Sequence, residues 1–217
     1  MTIDYCRDPE EIFENSLSII GAEVDLSGHG EAMCAVITRM IHACGMVDIV
    51  PSIKASGGAA EAGVLALKSG APVVCDSEMV ERGITRRFLP AENRVICPLS
   101  AKDTSSHARA IGNTRSAAGM ALCADLLPGS AVVIGNAPTA LFRLLEMMDE
   151  GLPPPALILG FPVGFVGAAE SKEALIARGG GVPFITLTGR RGGSAIAAAA
   201  LNALAREVGR RPAGAEK

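Results

Sequence analysis

Arg39 and His42 are the side chains whose types and spacing best suit chemistry. In the run Gly30–Cys44, Met33, Val36, Ile37, Met40, Ile41 and Cys44 recur at helical spacing and form one apolar stripe. Ala35, Thr38, Arg39 and His42 fall opposite that stripe, so guanidinium and imidazole project together, away from the core. Histidine exchanges protons near neutral pH. A neighbouring guanidinium disfavours the imidazolium by like-charge repulsion, and a bound carboxylate reverses that preference. On this reading the face becomes a proton donor only when an anion arrives. From spacing alone, an ordinary surface histidine is the simpler reading. His29, between Gly28 and Gly30, reads as a loop or cap residue, and His107 as part of a polar helix start.

A second set of candidates lies in turns. Ser130–Gly135 runs into Asn136-Ala137-Pro138-Thr139, with Asn136 expected to cap the next helix and Pro138 in its first turn. Pro155–Phe161 runs into Pro162-Val163-Gly164-Phe165-Val166-Gly167 and then Glu170-Ser171-Lys172; Pro183–Thr188 ends in Gly189-Arg190-Arg191-Gly192-Gly193-Ser194. Backbone N–H groups at helix starts attract anions, and arginines strengthen that field. Plain strand-to-helix turns would look much the same. There is no GxGxxG and no GxxxxGK[ST], which argues against a dinucleotide or nucleoside triphosphate. The cations Arg39, Lys54, Arg82, Arg86, Arg115, Lys172, Arg190 and Arg191 are dispersed, an arrangement that suits a polycarboxylate better than one phosphate cluster.

The elements that must position these residues are legible as short apolar runs. Ala71–Asp76, Arg94–Leu99, Ser130–Gly135, Pro155–Phe161 and Pro183–Thr188 are nearly continuous in hydrophobicity, as strands buried on both faces of a parallel sheet are. Helical patterns alternate with them, which predicts a doubly wound, mostly parallel α/β sheet of about five strands, with a weaker sixth near Val50–Ala55. Two helices precede the sheet: Pro9–Ile20, capped by Asp8, and the helix of His42. One α/β domain over residues 1–209 and a flexible tail over 210–217 are expected.

Composition narrows the function classes. Only 3% of the 217 residues are aromatic and the net charge is −3, so neither stacking platforms nor a basic footprint for nucleic acid is present. The longest apolar run, Ala156–Ala169, contains Pro162 and is too short to span a bilayer. The N-terminal stretch is acidic rather than signal-like. Six cysteines without a CxxC pair fit reduced thiols in the cytoplasm rather than a disulfide framework or a metal site.

Five motifs then occur in a specific order: Arg39-Met40-Ile41-His42; Asp76-Ser77-Glu78-Met79-Val80 with Gly83-Ile84; Gly135-Asn136-Ala137-Pro138-Thr139; Pro162-Val163-Gly164-Phe165-Val166 with Glu170-Ser171-Lys172; and Gly189-Arg190-Arg191-Gly192-Gly193-Ser194. Together they resemble the precorrin-8X methylmutase family, which includes the cobalt-precorrin-8 enzymes, over about Tyr5 to Leu204. The resemblance implies a flavodoxin-like three-layer fold and a cytoplasmic homodimer in cobalamin (vitamin B12) biosynthesis. It also implies an intramolecular methyl shift between adjacent carbons of a corrinoid polycarboxylate, from the eleventh to the twelfth. No cofactor, metal, nucleic acid or membrane is implied. The family's catalytic histidine falls on His42, where it would protonate or hydrogen-bond a ring nitrogen. Substrate carboxylates would meet Ser16, Arg39, Thr85, Arg115, Asn136, Thr139, Lys172, Arg190 and Arg191. A corrinoid carrier without chemistry, or the same shift on the cobalt-containing substrate, stands as the alternative. One departure is local: after His42 the chain reads Ala43-Cys44-Gly45-Met46-Val47-Asp48, where the family more commonly has Thr before the Gly and an acid after it. No acid is therefore expected at that place to orient His42.

Overall fold

The computed structural model describes residues 3–178 and 181–208; the predicted tail 210–217 lies outside them. Strands β1 (Ile53–Ala55), β2 (Val73–Cys75), β3 (Val95–Ile96), β4 (Ala131–Ile134), β5 (Leu157–Gly160) and β6 (Phe184–Leu187) form one sheet in the order β1-β6-β5-β4-β2-β3. The five later strands are parallel, as their apolar runs predict. The weaker sixth strand is present but antiparallel, with Ile53 opposite Leu187. Only its last three residues pair, because Val47–Ser52, with Pro51, forms a 3-10 helix.

The helices are α1 (Pro9–Glu23), α2 (Glu31–Cys44), α3 (Ala59–Lys68), α4 (Glu78–Gly83), α5 (Thr104–Ala110), α6 (Arg115–Leu122), α7 (Pro138–Asp149), α8 (Ala168–Ala177) and α9 (Ser194–Glu207). None of the described helices is long and apolar enough to cross a membrane. Asp8 caps α1 by accepting from the N–H groups of Glu10 and Glu11, as expected, and α1 continues three residues past Ile20. Alternate strand residues feed two cores. Val73, Val133, Leu159 and Ile185 pack with α2, α3 and α9, whereas Val74, Val132 and Ile158 pack with α6, α7 and α8.

Helix α9 is apolar on every side, and residues Ile196 to Ala205 are all buried. It lies between the sheet and α2, so α1 and α2 add a fourth layer to the predicted three. Small residues permit this stacking. A Cβ on Gly83 would stand 2.8 Å from that of Ala198, and one on Gly135 would stand 2.8 Å from the Ser194 Cα.

Strand β3 lies on one side of β2 and β4 on the other, so the winding reverses between β2 and β4. Sheets of this kind take ligands at that reversal. Here the place is filled by the chain itself. The buried Asp76 carboxylate accepts from the N–H groups of Gly135 (2.9 Å), Asn136 (2.9 Å) and Ala137 (2.6 Å). Burial pushes its carboxyl above the ordinary range, a rise that these three donors lessen without cancelling. The expectation that Asn136 caps α7 is thereby corrected. The cap residue is Ala137, and a carboxylate from the neighbouring strand performs the capping.

Replacing Asp76 with Ala would leave three donors without a partner, each costing about 1–3 kcal/mol. Urea unfolding of Asp76→Ala should show a loss of at least about 3 kcal/mol, and a loss below about 1 kcal/mol would contradict the capping role.

Candidate active site

His42 occupies the last turn of α2 and is exposed. The ring of Phe13, on α1, meets the imidazole edge-on, with centroids 5.7 Å apart and planes at 76°. The Arg39 guanidinium lies over the same phenyl ring, 5.4 Å from its centroid, and its Nη1 is 3.5 Å from His42 Nδ1. A guanidinium can only donate, so Nδ1 presents its lone pair and the neutral ring carries its proton on Nε2. Phe13 and Arg39 thus contact the imidazole from two sides, and the residue is exposed.

Arg39 is more enclosed than its place opposite the apolar stripe suggests, because α1 and α9 cover it. Its Nε is buried without a hydrogen-bond partner. Burial, followed by the charge of Arg206, lowers its guanidinium below the ordinary value. A cleft of ≈ 680 Å³ opens beside it between α1, α2 and the end of α9. Ser16 stands one turn beyond Phe13, and its hydroxyl donates back to the Ile12 carbonyl at 2.7 Å.

The other expected site residues form two further groups. At the starts of α6 and α7, the Thr114 and Thr139 hydroxyls are 2.7 Å apart, Arg115 donates to the Leu99 carbonyl at 2.8 Å, and the Asn136 side chain is exposed. At the ends of β5 and β6, the Arg190 guanidinium covers the exposed Phe165 ring at 5.2 Å, and Arg191 pairs with Asp48 at 2.7 Å. Asp48, the first acid after His42, is therefore committed to Arg191. Thr85 stands apart from both groups, its N–H held by Asn202 Oδ1 at 2.8 Å. Among the described residues no hydrogen bond or ion pair joins the His42 group directly to the rest of the expected rim.

Lys172 departs from the expected rim. It is fully buried, and its ammonium donates to the Arg191 carbonyl at 2.7 Å. The same loop is pressed against the end of β5, since Gly193 N–H donates to the Phe161 carbonyl at 2.9 Å. A Cβ on Gly192 would fall 2.3 Å from that oxygen. Lys172 holds the loop that carries Arg190 and Arg191, and Gly192 is required by the close approach.

Sequence reasoning missed Phe13 and Asn202, and it quoted Asp76 in a motif without seeing its capping role. Phe13 lies one turn before Ser16 and could have been noticed as an aromatic in a chain that has few. Asn202 is the one amide within the apolar run Ile196–Ala205; it also donates to the Gly83 carbonyl at 2.9 Å.

Burial holds the Lys172 ammonium down at about 8, against an ordinary 10.5. Between those values the unfolded chain keeps a proton that the folded chain has released. Lys172 therefore makes folding stability rise with pH from about 8 to about 10.5, with no slope below. Unfolding of the native chain and Lys172→Met across that range checks this: their difference should shift toward the native chain as pH rises, and a constant difference would refute it.

Comparison with known proteins shows the family. The family model described as precorrin-8X methylmutase matches residues 11–207. The precorrin-8X methylmutase of Pseudomonas aeruginosa is 57% identical, covering 94% of this chain and 99% of its own. The cobalt-precorrin-8 methylmutase of Priestia megaterium is 36% identical over 90% of this chain and 87% of its own. The solved precorrin-8X methylmutase of Thermus thermophilus superposes with a TM-score of 0.81 at 36% identity, covering 91% of this chain and 96% of that one. From the order of its motifs through its sheet to its full-length relatives, the chain belongs to the precorrin-8X methylmutase family.

Proposed function

We propose that the chain is an isomerase of cobalamin biosynthesis that converts precorrin-8X to hydrogenobyrinic acid. One methyl group moves from the eleventh to the twelfth carbon of the corrin. The reading is carried by the high identity, over nearly the whole length, to a precorrin-8X methylmutase. The lower identity to enzymes named for cobalt-precorrin-8 favours the metal-free substrate.

The shift is intramolecular, so the carbon–methyl bond breaks as its neighbour forms, and the chain supplies no methyl donor. What it supplies is a proton at one place. His42 Nε2–H reaches a ring nitrogen of the macrocycle, draws electron density toward it and eases migration. A substrate carboxylate that draws Arg39 away from Nδ1 offsets its like charge and favours the charged imidazole. Ser16, Thr85, Arg115, Asn136, Thr139, Arg190 and Arg191 bind the remaining acid groups, and Lys172 holds the loop that presents the last two. The working unit is a cytoplasmic homodimer whose site lies near the contact between subunits. That arrangement suits a rim whose groups stand apart on one copy.

Replacing the exposed His42 with Ala should leave the melting temperature unchanged and slow the conversion of precorrin-8X by about 10²–10⁴-fold, read from the visible spectrum. Undiminished turnover would sink the assignment. Binding by the native chain without spectral conversion would make it a carrier instead.

A further inference from the structure

We propose that Arg206 completes, with Arg39, a carboxylate pocket in the cleft between α1, α2 and α9, and that this pocket holds one acid side chain of the substrate. Only the identity of that acid rests on the functional reading above; the pocket itself rests on the side chains that line it.

Arg206 lies in the last turn of α9, and Arg39 in the second half of α2; both line the ≈ 680 Å³ cleft with Phe13, Leu17, Thr38 and Ala203. Two guanidiniums thus share one partly apolar space. Among the described residues neither forms an ion pair. Arg39 is restrained by Phe13 and His42, and Arg206 by the Phe88 ring, 4.3 Å from its guanidinium carbon. Stacking on aromatics holds each cation in place while leaving the in-plane N–H donors available.

The buried Nε of Arg39 is the second observation. A buried donor without an acceptor costs free energy that a protein normally avoids. Here the donor stands beside another cation, and the charge of Arg206 weighs against that of Arg39. A carboxylate placed between them would satisfy the Nε and turn one repulsion into two attractions. Because Arg39 Nη1 also reaches His42, an acid seated here would report directly to the imidazole.

Titration with hydrogenobyrinic acid, and separately with citrate, tests the pocket in the native chain, Arg206→Gln and Phe88→Leu. The expected result is a 10- to 100-fold weaker corrinoid affinity in Arg206→Gln, as for a lost charge-assisted bond, with a shallower salt dependence. Its melting temperature should be unchanged or higher, because a repulsion has been removed. Phe88→Leu, which keeps the cation but removes the ring that holds it, should lose clearly less affinity than Arg206→Gln. Equal corrinoid affinity in the native chain and Arg206→Gln would overturn the pocket and spare the functional reading. An equal loss in Phe88→Leu would also overturn it, by making Arg206 a mere brace. If the native chain binds citrate through Arg206 but ignores the corrinoid, the pocket stands and the functional reading falls. If it binds neither, both fall.

Discussion

Three consecutive N–H groups at the end of β4 point at one carboxylate, and that carboxylate belongs to the chain. Asp76 leaves β2 at the reversal of the sheet and spends its charge on the turn that starts α7. The next residue extends the junction: Ser77 caps α4 through the Val80 N–H, and its hydroxyl stands 3.5 Å from that of Ser194, at the start of α9. Two residues therefore fix the starts of three helices. They also close the crevice in which doubly wound sheets usually take an anion. The exposed histidine and the arginine cleft lie away from that reversal, on the flank formed by α1, α2 and the end of α9.

The flank is available because α9 is narrow. Its run of small buried residues lets α2 approach the sheet over a helix instead of directly, which carries His42 to the surface of a fourth layer. Asn202 fixes the register of that helix by accepting from Thr85 N–H and donating to the Gly83 carbonyl. Just past the C-terminal end of α2, the end that carries His42, Asp48 pairs with Arg191 in the loop after β6. Among the described residues, the ring of His42 is in contact with Phe13 and Arg39.

Much of this was legible in the residues. Buried parallel strands announce themselves as unbroken apolar runs, and the stripe on α2 separates Val36 and Ile37 from His42 without ambiguity. Contacts between distant residues were not legible. Nothing in the spacing of Asp76 tells that its partners lie some sixty residues later, so Asn136 looked like the cap that its turn required. Lys172 failed for a related reason. A lysine after a glycine turn is usually solvated, and only the fold reveals a carbonyl within reach of its buried ammonium. The antiparallel sense of β1 was hidden too, since three residues of Ile-Lys-Ala carry no direction.

The alanines of α9 have one further consequence, which concerns disorder in the unfolded chain. A core of leucines and phenylalanines gains more buried area, but each such side chain surrenders rotamers when it packs. Alanine has none to surrender. The alanines of α9 therefore pack at little side-chain entropic cost, and only Ile196, Leu201, Asn202 and Leu204 among its buried residues have rotamers to lose. A floor with few rotamers to lose suits an enzyme whose proposed reaction moves one methyl group by one carbon.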